Sequence, residues 1–197
     1  GFASLYALPL GVAYGFLGLT RLVYNSLGGE GAGIQLYFMS PTPMRTVMLA
    51  KNLVHLALFS LELVVICSIV AFRFGMPGRE MLAATICWLL FALPTQLAAG
   101  NVLSITMAYR MTLTRMSREQ GSVGNGLLSL LIQLLVFGVG AAVFLPLARL
   151  GYAQLAAPVF LVLAAGGVIA WLRVLSSADR MAARRRETLI QSLARAA

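Results

Sequence analysis

Charge is what this chain has least of. Only 11% of its 197 residues are Asp, Glu, Lys or Arg, against about a quarter in a soluble domain. Six carboxylates scattered along the sequence do not make the paired-carboxylate site that acid–base hydrolysis needs. A single histidine, His55, leaves no HExxH zinc site and no ligand pair for haem. The two cysteines, Cys67 and Cys87, lie inside apolar runs without CxxC spacing, so they read as small buried hydrophobes rather than a disulfide or a metal site. GxSxG is missing, and so is a phosphate-cradling glycine loop ending in Gly-Lys-Ser/Thr. These absences predict no catalytic residue, no metal and no cofactor on this chain, hence not an enzyme in its own right.

What fills the space is hydrocarbon, with 60% of the residues hydrophobic. Residues 2–20, 81–109, 120–148 and 150–172 contain no Asp, Glu, Lys or Arg, and 52–72 is equally apolar except for His55 and Glu62. A helix rises about 1.5 Å per residue, so each run can cross a hydrocarbon core roughly 30 Å thick. The fold class expected is therefore all-α and membrane-integral, one transmembrane domain over 1–197 with five spans near 2–24, 52–72, 81–109, 125–145 and 156–175. The segment 25–51 and the tail 176–197 lie outside the bilayer.

A net charge of +9 would suggest nucleic acid in a soluble protein, but the positive-inside rule accounts for it without such a partner. With the first span ending in the cytoplasm, Arg21, Arg45, Lys51, Arg110, Arg115, Arg118, Arg173, Arg180, Arg184, Arg185, Arg186 and Arg195 all fall on that side. Only Arg73, Arg79 and Arg149 fall outside, twelve cations against three. The expectation is a multi-pass protein of the inner (plasma) membrane with a cytoplasmic C-terminus.

Along the chain, Gly11, Gly15 and Gly18 form a small-residue face suited to close helix packing in lipid. Asn25 to Gly33 reads as a flexible polar turn. Residues 34–40 predict about two turns of helix at the membrane surface, which Pro41 stops. Thr42 is then expected as N-cap and Pro43 as first residue of a helix running through Arg45 and Lys51 into the next span. Pro94 is expected to kink its helix, Pro146 to end one and Pro158 to begin another, with a short link between them that can dip into the membrane. In the tail, Ala178, Ala182, Leu189 and Leu193 recur at helical spacing opposite Arg184, Arg185 and Arg195, the pattern of a basic amphipathic helix on the membrane surface.

Polar residues inside apolar spans are expensive and therefore informative. Lys51, His55 and Glu62 share one helix face, being four and seven residues apart. Glu62, Gln96 and Gln133 fall at similar depth in three spans. They form either a polar lining for a substrate path or hydrogen-bonded glue between helices.

The stretch Glu30…Leu36-Tyr-Phe-Met-Ser-Pro-Thr-Pro-Met-Arg-Thr-Val-Met-Leu-Ala-Lys-Asn52 resembles ABC-2-type transporter permeases. In that family an acidic, glycine-rich turn, a short amphipathic helix and a Ser-Pro or Thr-Pro break precede a helix entering the bilayer. Gly100-Asn101-Val-Leu-Ser104, the basic internal loops and the basic tail are similar to that family as well. The resemblance implies that 30–40 is a coupling helix docking on a separate nucleotide-binding ATPase subunit, with Glu30, Gln35, Leu36, Phe38, Met39 and Arg45 at the contact. ATP and Mg would reside on that partner, and a second permease copy or half would complete the path of an exporter in membrane lipid. The family's elbow helix and first span have no counterpart here, so the resemblance implies a partial chain. A non-transporting membrane scaffold or assembly subunit is the alternative reading.

Overall fold

In a bilayer no water is present to satisfy backbone amides, and a helix satisfies them within its own segment. The computed structural model, which describes residues 2–111 and 123–194, follows that constraint: every regular element in those residues is helical. The order is α1 (Phe2–Tyr24), α2 (Ile34–Met39), α3 (Met44–Phe74), α4 (Arg79–Thr106), α5 (Val123–Arg149), α6 (Ala156–Arg184) and α7 (Arg186–Ala194), with 3-10 turns at Gly28–Gly33 and Ala153–Leu155.

Helices α3, α4, α5 and α6 are each long and apolar enough to cross a membrane, and the chain is a multi-pass membrane protein. A fifth span arises if Tyr6–Gly18 and Leu22–Met39, bent by 46°, are taken as one broken crossing. The outer surface agrees with a lipid solvent: Leu61, Val64 and Ile69 on α3 and Leu127, Leu134 and Leu135 on α5 are exposed. In water such continuous apolar faces would aggregate.

Antiparallel neighbours bring one set of helix ends together. Asn25 after α1 bonds Tyr109 after α4, Asn125 on α5 bonds the Met107 carbonyl, and Arg45 on α3 meets Asp179 on α6. We call this the basal end. It carries Arg45, Lys51, Arg110, Arg180, Arg184, Arg185 and Arg186, whereas Arg73, Arg79 and Arg149 cap the opposite end. Arg115, Arg118 and Arg195, and with them most of the expected basic loop, lie outside the described residues.

Two cores stack along the bundle. The first, within the spans, packs Val12 and Phe16 of α1 with Phe59 of α3, Trp88 and Ala92 of α4, Val136 of α5 and Phe160 of α6. Phe16 is its hub, with ring centroids 4.5 Å from Phe59 and 5.7 Å from Trp88, the latter edge-on at 81°, a favoured aromatic arrangement. The second core lies at the basal end and joins Leu27, Ile34, Met44, Met48, Ile105, Ala178, Ala182, Leu189 and Leu193.

That second core corrects the expectation for the tail. Helix α6 does not stop near 175 but continues to Arg184, and α7 follows as a separate helix. Ala178, Ala182, Leu189 and Leu193 are all at most 2% exposed. The apolar stripe read as a membrane-surface face is instead covered by the protein's own 27–48 segment. The periodicity was the same in either case, because lipid and a protein groove select the same spacing.

Several boundaries also differ. Pro43, not Thr42, occupies the N-cap of α3, with extended φ −64° and ψ 143° and no side-chain cap. Thr42 is engaged elsewhere, its hydroxyl accepting from Ser40 Oγ at 3.0 Å. Helix α5 passes through Pro146 to Arg149, so the link to α6 shrinks to a turn in which Gly151 adopts φ +78°. The polar turn after α1 is held rather than free: Asn25, Leu27 and Gly28 are buried, Asn25 Nδ2 donates to Tyr109 O at 2.8 Å, and Tyr109 N–H returns a bond to Asn25 Oδ1 at 3.2 Å.

The Gly100–Ser104 motif explains itself in the same region. A Cβ on Gly100 would lie 2.5 Å from Val23 O, so only glycine lets α4 approach α1 this closely. One turn on, Ser104 Oγ accepts the Ser26 backbone N–H at 2.8 Å. Replacing Gly100 with Ala forces the two backbones apart and is expected to cost about 1–3 kcal/mol. Gly126→Ala, where nothing lies within 4 Å, is expected to leave stability unchanged or slightly raised. Denaturant unfolding of both variants in lipid nanodiscs checks the contrast.

Candidate functional site

Polar chemistry in the described residues concentrates at two levels. The upper level sits among the spans. Gln96 of α4 donates from Nε2 to Gln133 Oε1 of α5 at 2.6 Å. Gln133 in turn donates from Nε2 to Thr20 Oγ1 at 2.7 Å and to the Phe16 carbonyl at 3.2 Å. Thr20 Oγ–H closes the chain on the same Phe16 carbonyl at 2.9 Å. Three helices are thus joined through one hydrogen-bonded line in which both amides are buried. Such contacts are a main source of cohesion between helices in lipid, where burial of apolar surface supplies none.

Beside this line lies a cavity of about 20 Å³, lined by Thr20, Tyr24, His55, Phe59, Gln96 and Gln133 among others. That volume holds about one water molecule and nothing larger. Glu62, placed by depth with Gln96 and Gln133, is not brought to them. It lies half-buried along the seam of α1 and α3, where a Cβ on Gly15 would stand 3.3 Å from its Cδ and one on Gly18 3.4 Å from its Oε1. Depth along a helix was readable from residue counting; rotation about the helix axis was not. The face shared by Lys51, His55 and Glu62 does exist, but each residue meets a different neighbour: the turn after α1, the cavity and the glycine stripe.

The lower level is the basal platform. Lys51 of α3 forms an ion pair with Glu30 in the 3-10 turn. Burial first, and the Glu30 carboxylate after it, raise the pKa of the Tyr37 phenol above its ordinary value. Arg45 presents its backbone N–H to Asp179 Oδ1 at 3.0 Å, with Nε 3.8 Å from the other carboxylate oxygen. Arg186 of α7 stands 5.6 Å over the Phe38 ring, within cation–π range. Of the six residues named for coupling, Glu30 and Phe38 therefore meet partners within the chain, and Arg45 does so with its side chain still 63% exposed. Gln35, Leu36 and Met39 are exposed, the last two at 67% and 77%.

Sequence reasoning did not assign Thr20, Tyr24 or Asp179 to these arrangements. Thr20 carried a usable signal, a hydroxyl inside an apolar span one turn from the basal end. Asp179 was an acid in a tail otherwise read as basic. Among the described residues no group of three His, Cys, Asp or Glu side chains is placed to hold a metal. No family model, no curated protein and no solved structure matches the chain.

The glutamine line generates a cycle of substitutions. Gln133→Leu strands the Gln96 amide in an apolar interior, while the Thr20 hydroxyl keeps its bond to the Phe16 carbonyl, and is expected to cost about 1–3 kcal/mol. Gln96→Leu is expected to cost a similar amount, and the double variant less than the two together, because it leaves fewer groups unpaired. Strict additivity of the three unfolding free energies in bilayers or detergent would mean that the amides do not act on each other.

Proposed function

We propose that the chain is the membrane-spanning permease subunit of an ABC-2-type exporter, coupled to a separate ATPase at its basal end. The observation that carries this reading is the build of α2. It is a short helix between a glycine-rich turn and a Pro41–Pro43 break, with Ile34 fully buried beneath it and Leu36 and Met39 presented outward. Leu36 and Met39, three residues apart on α2, give a docking partner apolar surface to cover. A push on it reaches the membrane-entering helix α3 through the Glu30–Lys51 ion pair, and the Phe38–Arg186 contact ties it to α7 at the basal end.

The excess of cations at the basal end supports a cytoplasmic placement, where ATP is available. The water-sized cavity bears on the path. The cavity among the described residues is too small for a substrate, so transport would run between this chain and a second copy or half, along the exposed faces of α3 and α5. In that arrangement Gln96 and Gln133 hold the helices together. Glu62, the half-buried member of the trio, is the residue with access to an inter-subunit path. ATP and Mg belong to the partner, and alternating access is a shift in population between two arrangements of the pair.

The same water-sized cavity is equally suited to a membrane scaffold that transports nothing, and the test separates the two. The chain purified from its native membrane is expected to bring down an ATPase whose hydrolysis is measurable in the eluate. Leu36→Asp with Met39→Asp, both on exposed positions, is expected to release it by at least tenfold while the bundle stays folded. An eluate without ATP hydrolysis, or one unchanged by the double substitution, favours the scaffold.

A further inference from the structure

Five arginines stand where α6 leaves the spans: Arg173, Arg180, Arg184, Arg185 and Arg186. The structure sorts them into two groups. Arg185 donates from Nη1 to the Thr106 carbonyl at 3.3 Å and Arg186 lies over the Phe38 ring, so both turn back onto the basal platform. Arg173, Arg180 and Arg184 are exposed, and none of them pairs with a carboxylate among the described residues. Asp179, the acid beside Arg180, is taken by Arg45.

The direction in which the three point follows from helix geometry. Steps of three, four and seven residues return to one face of a helix, and such steps join Val162, Gly166, Ile169, Arg173, Arg180 and Arg184. Val162 and Ile169 are 75% and 51% exposed and belong to the apolar surface that meets lipid tails. The arginines therefore continue the lipid-facing stripe of α6. The exposed apolar residues of α6 end at Leu172, and Arg173 is next. Arg180 follows about 10 Å further along the axis, and helical side chains lean toward the N-terminal end of their helix, which from here is the direction of the bilayer. Arg173 and Arg180 thus reach the headgroup layer from the flank of the bundle, with Arg184 one turn beyond.

We propose that this stripe is a binding surface for the headgroups of anionic phospholipids. Arg173 and Arg180 hold the lipid phosphates, and Arg184 adds to the field that draws them in. A guanidinium meets a phosphate through paired hydrogen bonds, and its alkyl stem lies along apolar surface. A soluble acidic partner does not suit this surface, because it would have to approach along the flank where the bilayer stands. The positive-inside rule accounts for the charge of the basal end as a whole, but not for its division into a lipid-facing set and a platform-facing set. Held by headgroups, α6 fixes the depth of the basal core that Ala178 and Ala182 help to build. The inference is independent of the ATPase and of transport.

Electron paramagnetic resonance of spin-labelled lipids tests this in the full chain reconstituted in phosphatidylcholine bilayers. The motionally restricted fraction of labelled phosphatidylglycerol is compared with that of labelled phosphatidylcholine. At low salt the unsubstituted protein is expected to prefer phosphatidylglycerol on the order of fivefold, the effect of one well-placed arginine at an anionic surface, and less as salt screens the charges. Arg173→Gln with Arg180→Gln is expected to bring the ratio close to one. Arg185→Gln with Arg186→Gln removes the same charge from the platform-facing set and is expected to keep most of the preference. Arg173→Lys with Arg180→Lys retains the charge on exposed, unpaired positions and is expected to keep it as well, which separates lost binding from lost folding. A ratio near one in the unsubstituted protein overturns the proposal. So does an equal loss in both glutamine pairs, which would mean diffuse attraction by net charge.

Discussion

Among its spans this protein holds most of its buried polar groups out of reach of bulk solvent, and much of the fold is arranged to pair them with one another. The seam between α1 and α4 shows the arrangement most fully. Gly100 brings the two backbones together against Val23, and the polar groups exposed by the end of α1 are then taken up by Ser104, Tyr109 and Asn125. Higher in the bundle the Gln96–Gln133–Thr20 line does the same for side chains. An unanswered amide or hydroxyl in an apolar interior is costly enough that these bonds set which helix faces meet. The apolar packing around Phe16 then fills what remains.

At the basal end the surroundings change and the chain builds something closer to a small soluble domain. Leu27 and Ile34 pack on Met48, Ile105 and the apolar stripe of the C-terminal helices, with ion pairs at the edge. The consequence for mechanism lies in connectivity. Helix α3 begins in this domain at Met44 and passes without interruption to Phe74, so a displacement of the platform is also a displacement of Lys51, His55 and Glu62. On the proposed reading, the motor acts on a domain with its own core, and α3 carries the motion to the cavity and to the glycine stripe of α1.

Much of this was legible before any coordinates. Long uncharged runs and the paired prolines at 41 and 43 marked the spans and the break before α3, because a bilayer tolerates few charges and proline lacks an amide hydrogen. The nearness of Gln96 and Gln133 followed from counting depth. Glu62 was misgrouped because depth leaves helix rotation undetermined. The tail was misread for a different reason: Ala178, Ala182, Leu189 and Leu193 have a periodicity that lipid and protein satisfy alike. Thr42 was displaced as N-cap because Pro43 already holds the extended conformation that the position needs, while Ser40 takes up the threonine hydroxyl.

The central claim is that the platform built on α2 faces the compartment where a soluble motor can reach it. Sidedness of a cysteine placed at Gln35, on the exposed face of α2, measures this directly, in a chain whose Cys67 and Cys87 have been replaced by alanine. In intact cells the account predicts that Gln35→Cys resists a membrane-impermeant thiol reagent and becomes reactive once the inner face is opened, with Gly78→Cys in the loop before α4 behaving in the opposite way. Labelling at position 35 from outside intact cells would place the platform away from ATP and contradict the account.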